Sequence, residues 1–285
     1  MSQTDIQEYY DFILPLVLDA GKILLDAKDI KGELKNGLDC DFVTLFDTKI
    51  EDKLKKQITA SYPNHKFIGE EESSAKNEWS LTNDPTWIID PIDGTENFMR
   101  KLRLSCISVA MTINKEQVFG IVYNPHMDEL FSAIKDKGAY LNGQRIYTTG
   151  QTDYTQSLFN YEISMGRMGT YFYNLYMFRL KHLLPKVMGV RCFGCAALGL
   201  CYVACGRFDA YQCDGLYPWD AAAGTLIVRE AGGFVIDSSG KEFDLMKPNF
   251  LATSSRELAQ DYLEIERIAD MEMNEAVKRN QAFVP

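Results

Sequence analysis

The stretch Asp90-Pro91-Ile92-Asp93-Gly94-Thr95-Glu96-Asn97-Phe98 restricts what this chain can fold into more than any other. It follows Trp87-Ile88-Ile89, an apolar run that reads as a buried strand. Two carboxylates, three positions apart, therefore emerge where a strand meets a loop. Gly94 lets backbone N–H groups approach an anion, and Thr95 brings a hydroxyl to the start of a helix. Such a turn suits a hard divalent cation and a phosphate held side by side.

Around it the patterns are mixed. Residues 5 to 29 place Ile6, Tyr9, Tyr10, Ile13, Val17, Ala20, Leu24 and Ala27 at helical spacing, with Pro15 expected to kink the helix. Residues 31 to 41 read as a polar loop, Leu45 to Tyr62 as a second helix, and Phe67-Ile68-Gly69 as a short strand. Strand-like runs follow at 106–113, 117–122, 129–134 and 139–141, and Asn142-Gly143 is a strong hairpin signal. Residues 104 to 160 are accordingly expected to form an antiparallel sheet. Beyond them, helices are expected at 169–184, 196–205, 219–231 and 256–282, with strands at 190–193, 210–212 and from 234.

Composition narrows the chemistry. At 285 residues and 32.4 kDa the chain suffices for one large domain or two intimately packed ones. A net charge of -10 argues against nucleic acid or an anionic membrane as partner. No apolar run is long enough to span a bilayer, and the polar N-terminus is unlike a targeting peptide, so a cytoplasmic location is expected. Five of the seven cysteines crowd into residues 192–213. Cys192 and Cys195 have the spacing of a zinc half-site, but the small-residue helix around Cys201 favours reduced, buried thiols.

A metal site needs acids from several segments, and Asp47, Glu70, Glu71, Asp90, Asp93 and Asp220 each sit at the end or start of an element. The Ile92 carbonyl, between two acids, is a natural further ligand. Two cations bridged by Asp90 would activate a water and neutralise a leaving oxygen, with Thr95 and Asp47 positioning that water. Taken singly, these residues have plainer readings: a turn for Asp90-Pro91, a solvated face for Glu70-Glu71-Glu72, a helix cap for Asp220 and a surface acid for Asp47. Their joint occurrence points to direct attack of water on a phosphate ester.

Four elements carry a further resemblance. They are Asp41-Phe42-Val43-Thr44-Leu45-Phe46-Asp47, Gly69-Glu70-Glu71, Trp87 through Phe98, and Trp219-Asp220-Ala221-Ala222-Ala223-Gly224 with Glu230-Ala231-Gly232-Gly233. In order and spacing, over about residues 5 to 265, the chain resembles the inositol monophosphatase family of Mg-dependent, lithium-sensitive phosphatases. The resemblance implies an α+β fold, a layered α-β-α-β-α sandwich of the sugar-phosphatase type. Residues 1–285 would form a single phosphatase unit, with a large antiparallel sheet in about 1–150 and a smaller α/β sheet in 151–285. It implies a homodimer and two or three Mg2+ per site, with Mn2+ as a substitute and Li+ as an inhibitor. Glu70, Asp90 and the Ile92 carbonyl would hold the first ion, Asp90, Asp93 and Asp220 the second, and a third would sit near Glu70. Thr95, Asp47 and Glu70 would be catalytic. Gly94 and Thr95 would contact the phosphate, while Asp93, Gly194, Cys195, Ala196, Cys213 and Asp220 would line the place of the alcohol.

The substrate rim departs from the family pattern. Inositol-selective members carry a glutamate where this chain has Cys213, with Asp214 beside it, and a small hydroxyl residue where it has Cys195. Met99-Arg100-Lys101-Leu102 also replaces the usual continuation of the acid motif. The expected reaction is hydrolysis of inositol 1-phosphate or a related polyol or sugar monophosphate. The alternatives are another small phosphate ester (a nucleotide or sugar bisphosphate, or histidinol phosphate) and a weakly active paralogue serving as a binding or regulatory subunit.

Overall fold

The computed structural model describes residues 3–34 and 42–279, so Asp41 and most of the expected loop at 31–41 lie outside the described residues. Helix α1 (Gln3–Leu25) continues past Pro15, and β1 (Gly32–Leu34) pairs with β2 (Phe42–Thr44). Next come α2 (Leu45–Ser61), β3 (Lys66–Gly69), α3 (Glu70–Lys76), β4 (Thr86–Asp93) and α4 (Thr95–Met99). Five strands follow: β5 (Cys106–Ile113), β6 (Glu116–Asn124), β7 (Glu129–Ile134), β8 (Ala139–Leu141) and β9 (Gln144–Ile146). The second part holds β10 (Leu158–Tyr161), α5 (Thr170–Leu183), β11 (Gly189–Arg191), α6 (Ala196–Ala204), β12 (Ala210–Cys213) and α7 (Pro218–Glu230). It ends with β13 (Phe234–Ile236), β14 (Phe250–Thr253) and α8 (Arg256–Lys278).

These elements stack as five layers. Ile13, Val17 and Leu24 of α1, with Ile50, Leu54 and Ile58 of α2, are buried against Trp87, Ile89, Val109 and Ile121 of a seven-stranded sheet ordered β3-β4-β5-β6-β7-β8-β9. Burial of each such side chain is worth about 1.5–3 kcal/mol. The sheet's other face meets α6 and α7, whose small residues Ala197, Ala221, Ala222 and Ala223 allow close approach. Helices α6 and α7 also cover one face of a five-stranded sheet ordered β11-β10-β12-β14-β13. Its far face packs on α5 and α8 through Tyr176, Leu183, Leu258 and Tyr262. The result is an α+β sandwich with α-β-α-β-α layering.

Three strand assignments differ from the sequence reading. Leu158–Tyr161 is not the end of the first sheet but lies parallel between β11 and β12 in the second. The first sheet is not wholly antiparallel, because β3 runs parallel to β4. The third difference is β14, which no alternation announced because its four residues are all buried. The Asn142-Gly143 turn does close a hairpin, with both residues at positive φ.

Candidate active site

The acids of β4 owe their aim to a bulge. Asp90 faces Ser108 and Asp93 faces Cys106, so three steps on β4 match two on β5. In a regular strand, residues three apart point to opposite faces; the extra residue brings both carboxylates to one side. Pro91, which has no N–H for the ladder, sits within the bulge, where its loss of a donor does no harm. Gly94 then takes φ +83, and a Cβ there would lie 2.8 Å from the Leu104 carbonyl oxygen. A tight turn into α4 follows, with Thr95 as its first residue.

Asp90, Asp93 and Asp220 converge until one oxygen of each lies within 4.8 Å of the others. Asp220 is brought there as the third residue of α7, where its Oδ2 accepts the Tyr217 N–H at 2.7 Å. Glu70, the first residue of α3, joins them in the wall of a cavity of about 210 Å³. Ile92, Gly94, Thr95, Gly194, Cys195, Ala196 and Cys213 line the same cavity. Asp47 stands just behind it: Thr95 Oγ1 lies 3.4 Å from Asp47 Oδ1 and 2.9 Å from the Ile92 oxygen. Far from being a surface acid, Asp47 is fully buried, and its Oδ2 accepts the Thr44 N–H at 2.9 Å in a capping box on α2.

Burial pushes the Asp90 carboxyl well above the usual range, and Glu70, Asp93 and Asp220 push it further. Asp93 rises to about 6, again through burial, against hydrogen bonds that hold it down. Those bonds come from the second sheet's half of the molecule. Ala196 N–H donates to Asp93 Oδ1 at 3.2 Å, Ala197 N–H to Oδ2 at 2.5 Å, and Cys195 Sγ lies 3.1 Å from Oδ2. A carboxylate at the start of α6 also meets the positive end of that helix.

Residues that sequence reading missed are as informative. Glu162, immediately after β10, is buried with its carboxylate accepting the Gly194 N–H at 2.7 Å and the Phe193 N–H at 3.2 Å. It fixes the loop that carries Gly194 and Cys195. The strand was assigned to the wrong sheet, so nothing pointed Glu162 at the site. Asn97 of the acid motif holds the same loop, donating to the carbonyls of Leu104, Phe193 and Gly194 at 2.9, 3.0 and 3.1 Å. Glu51 caps α3 by accepting the N–H groups of Glu71 and Glu72 at 2.8 and 2.9 Å. Met165, Met168, Leu216 and Tyr217 add apolar surface to the rim, and Ser164, Arg167 and Glu96 add polar groups.

The structure adds detail at two rim positions. Cys213 does line the cavity, but its side chain is fully buried beside the Tyr176 hydroxyl, 3.6 Å away. Asp214 turns away from the cavity. It accepts from Arg179 Nη1 at 2.8 Å and Gln212 Nε2 at 2.6 Å, and also bonds the Ser238 hydroxyl. The thiols are not uniformly buried either: Cys192 is exposed and lies 2.8 Å from Glu162, so Cys192 and Cys195 do not form a zinc half-site.

The donor set suits a hard cation. Buried acids raise one another, and the neighbours that raise Asp90 (Glu70, Asp93 and Asp220) are all acids. A divalent ion among these oxygen ligands would offset their mutual repulsion. The model of the inositol monophosphatase family matches residues 5–270. The chain belongs to the inositol monophosphatase family. Among similar family members, inositol monophosphatase 3 of Solanum lycopersicum is 39% identical over 251 residues, covering 88% of this chain and 93% of the relative. Inositol monophosphatase 1 of Homo sapiens is 38% identical over 257 residues, covering 89% and 92%. The solved inositol monophosphatase of Thermotoga maritima superposes with a TM-score of 0.80 at 29% identity, covering 93% of this chain and 99% of that one. Inositol monophosphatase II of Staphylococcus aureus gives 0.78 at 27%, covering 98% and 100%.

Proposed function

We propose that this phosphatase of the inositol monophosphatase family is a Mg2+-dependent phosphomonoesterase that hydrolyses inositol 1-phosphate or a related polyol or sugar monophosphate by direct attack of water. The convergence of Asp90, Asp93 and Asp220 beside the Thr95–Asp47 pair carries the reading. Glu70, Asp90, the Ile92 carbonyl, Asp93 and Asp220 would hold two or three Mg2+, with Mn2+ as a substitute and Li+ as an inhibitor; when bound, these ions neutralise phosphate charge and acidify water.

The chain's own residues do the rest. In hydrolysis the Thr95 hydroxyl would turn its one hydrogen from the Ile92 oxygen, its nearer acceptor at 2.9 Å, to Asp47, leaving its lone pairs to accept a hydrogen from the attacking water and turn its oxygen toward phosphorus. Asp47 is held rigid for that task by the Thr44 cap. The Gly94 turn brings backbone close to where the phosphate sits, and Thr95 contacts its oxygens. Asp93, fixed on α6, faces the alcohol together with Ala196. A homodimeric, cytoplasmic enzyme fits the family and the chain's charge. No helix among the described residues is long and apolar enough to cross a membrane.

The rim favours a second reading of the alcohol alone. Cys213 is buried and Asp214 is held by Arg179, so neither takes the place of the sugar-recognising glutamate, and Met165, Met168 and Leu216 add apolar surface beside the polar Glu162, Ser164 and Arg167. An ester whose alcohol carries fewer hydroxyls then competes with inositol. Phosphate release from a panel of polyol, sugar, nucleotide and small alkyl phosphates decides between them. Silence of the whole panel with both Mg2+ and Mn2+ would sink the enzyme reading.

A further inference from the structure

Directly across the β4–β5 ladder from Asp93 stands Cys106, and the residue before α6 is Cys195. Their sulfurs lie 3.7 Å apart, and Cys195 Sγ is 3.1 Å from Asp93 Oδ2. All three side chains are buried, and one ligand atom of each falls within 4.8 Å of the other two. We propose that Asp93, Cys106 and Cys195 form a site for one thiophilic divalent cation, of the Zn2+ or Cd2+ kind, overlapping the oxygen-lined cluster only at Asp93.

The spacing fits such an ion. Tetrahedral zinc with sulfur at about 2.3 Å places two sulfurs roughly 3.8 Å apart, so Cys106 and Cys195 already stand at nearly the required separation. Two sulfurs and one carboxylate oxygen fill three positions. The fourth opens on the cavity, whose wall includes Asp93 and Cys195 but not Cys106. Sulfur ligands select against Mg2+, while Asp90 and Asp220 select against soft ions, so adjacent sites sort cations by chemistry. On binding, two metal–sulfur bonds form, two thiol protons pass to solvent, and no electrons move. Asp93 then ligates the soft ion instead of completing the Asp90–Asp220 set. Inhibition by that route rests on the phosphatase reading; the binding does not.

The plainer alternative is that two small sulfur side chains merely fill the gap between β5 and α6. Titration of the full-length, metal-free protein with Cd2+, followed by the ultraviolet sulfur-to-cadmium absorption, separates the two. One equivalent should saturate the signal in the presence of excess Mg2+. Cys106→Ala should remove most of the signal and weaken Cd2+ at least about tenfold; Cys106→Ser, which keeps the packing volume, should do the same. Cys192→Ser should leave the signal intact. Equal absorption in wild type and both Cys106 variants, or none in wild type, overturns the site. Phosphate release, measured in parallel, should fall as the absorption rises. Turnover without cadmium absorption removes this inference alone. Cadmium absorption without turnover of any ester removes the phosphatase reading and keeps the site.

Discussion

Two groups of buried acids in this molecule show opposite solutions to the same problem. Beneath α5 and α8, Asp214, Glu266 and Asp270 surround Arg179, whose side chain is 5% exposed. Arg179 Nε and Nη2 grip Asp270 at 2.8 Å each, Nη1 reaches Asp214 at 2.8 Å, and Glu266 stands 3.5 Å off. At the cavity, Asp90, Asp93 and Asp220 gather, and the neighbours that raise Asp90 are themselves acids. A protein that supplies its own counter-charge has built a structural joint. Where acids gather with acids, an external cation would find its ligands and its opposite charge together.

The comparison breaks most readily at Arg179. Arg179→Met should destabilise the fold by about 3–5 kcal/mol, because it strands buried acids without their partner. Urea midpoints measure this, and metal binding by the folded fraction should persist. Asp90→Asn should do the reverse. Phosphate release should fall at least about a hundredfold, since loss even of a residue that only supports a metal ligand costs about 10–100-fold. The metal-free fold should lose nothing. Mg2+ at a hundred times its Kd should stabilise the wild type by about 2.7 kcal/mol and leave Asp90→Asn unmoved, as thermal melts would show. A large loss of metal-free stability in Asp90→Asn would erase the distinction between the clusters.

An acid placed where neither solution reaches should simply cost stability. Cys213→Glu would put an unpartnered carboxylate at a fully buried position near Glu162, costing about 1–3 kcal/mol in a denaturant titration. If this variant instead gains activity on inositol phosphate without loss of stability, the rim is more open than its burial implies. A further effect concerns pH. Burial pushes Glu266 up to about 8 against the pull of Arg179, and its Oε2 has no hydrogen-bond partner. Between the ordinary value of 4.5 and about 8, the folded state keeps a proton that the unfolded chain has released. Stability from this group is therefore full below 4.5 and falls as pH rises through that window. Glu266→Gln, which cannot ionise, should flatten that part of the stability–pH curve.

The acids that meet at the cavity are legible because they belong to short spaced motifs near the ends of strands and helices. Asp90, Asp93, Gly94 and Thr95 are local in sequence, and Asp220 announces itself before an alanine-rich helix. What sequence hid was long-range. Glu162 depends on which sheet Leu158–Tyr161 joins, and short, uniformly buried strands carry no alternation to reveal that. The Arg179 joint unites positions 179, 214, 266 and 270, each of which alone reads as an ordinary charged residue. Asp214 stands beside Cys213 in sequence, which alone says nothing of where its side chain turns. Its orientation was settled by an arginine 35 positions away.

The double grip on Asp93 has a consequence for how such an enzyme can diverge. One carboxylate both faces the acidic cluster and anchors the first turn of α6, which carries part of the cavity wall. Tuning of substrate choice around Cys195 and Ala196 is thereby geared to cation affinity. New specificities should arise more freely at Met165, Met168 and Leu216, where change leaves that gear untouched.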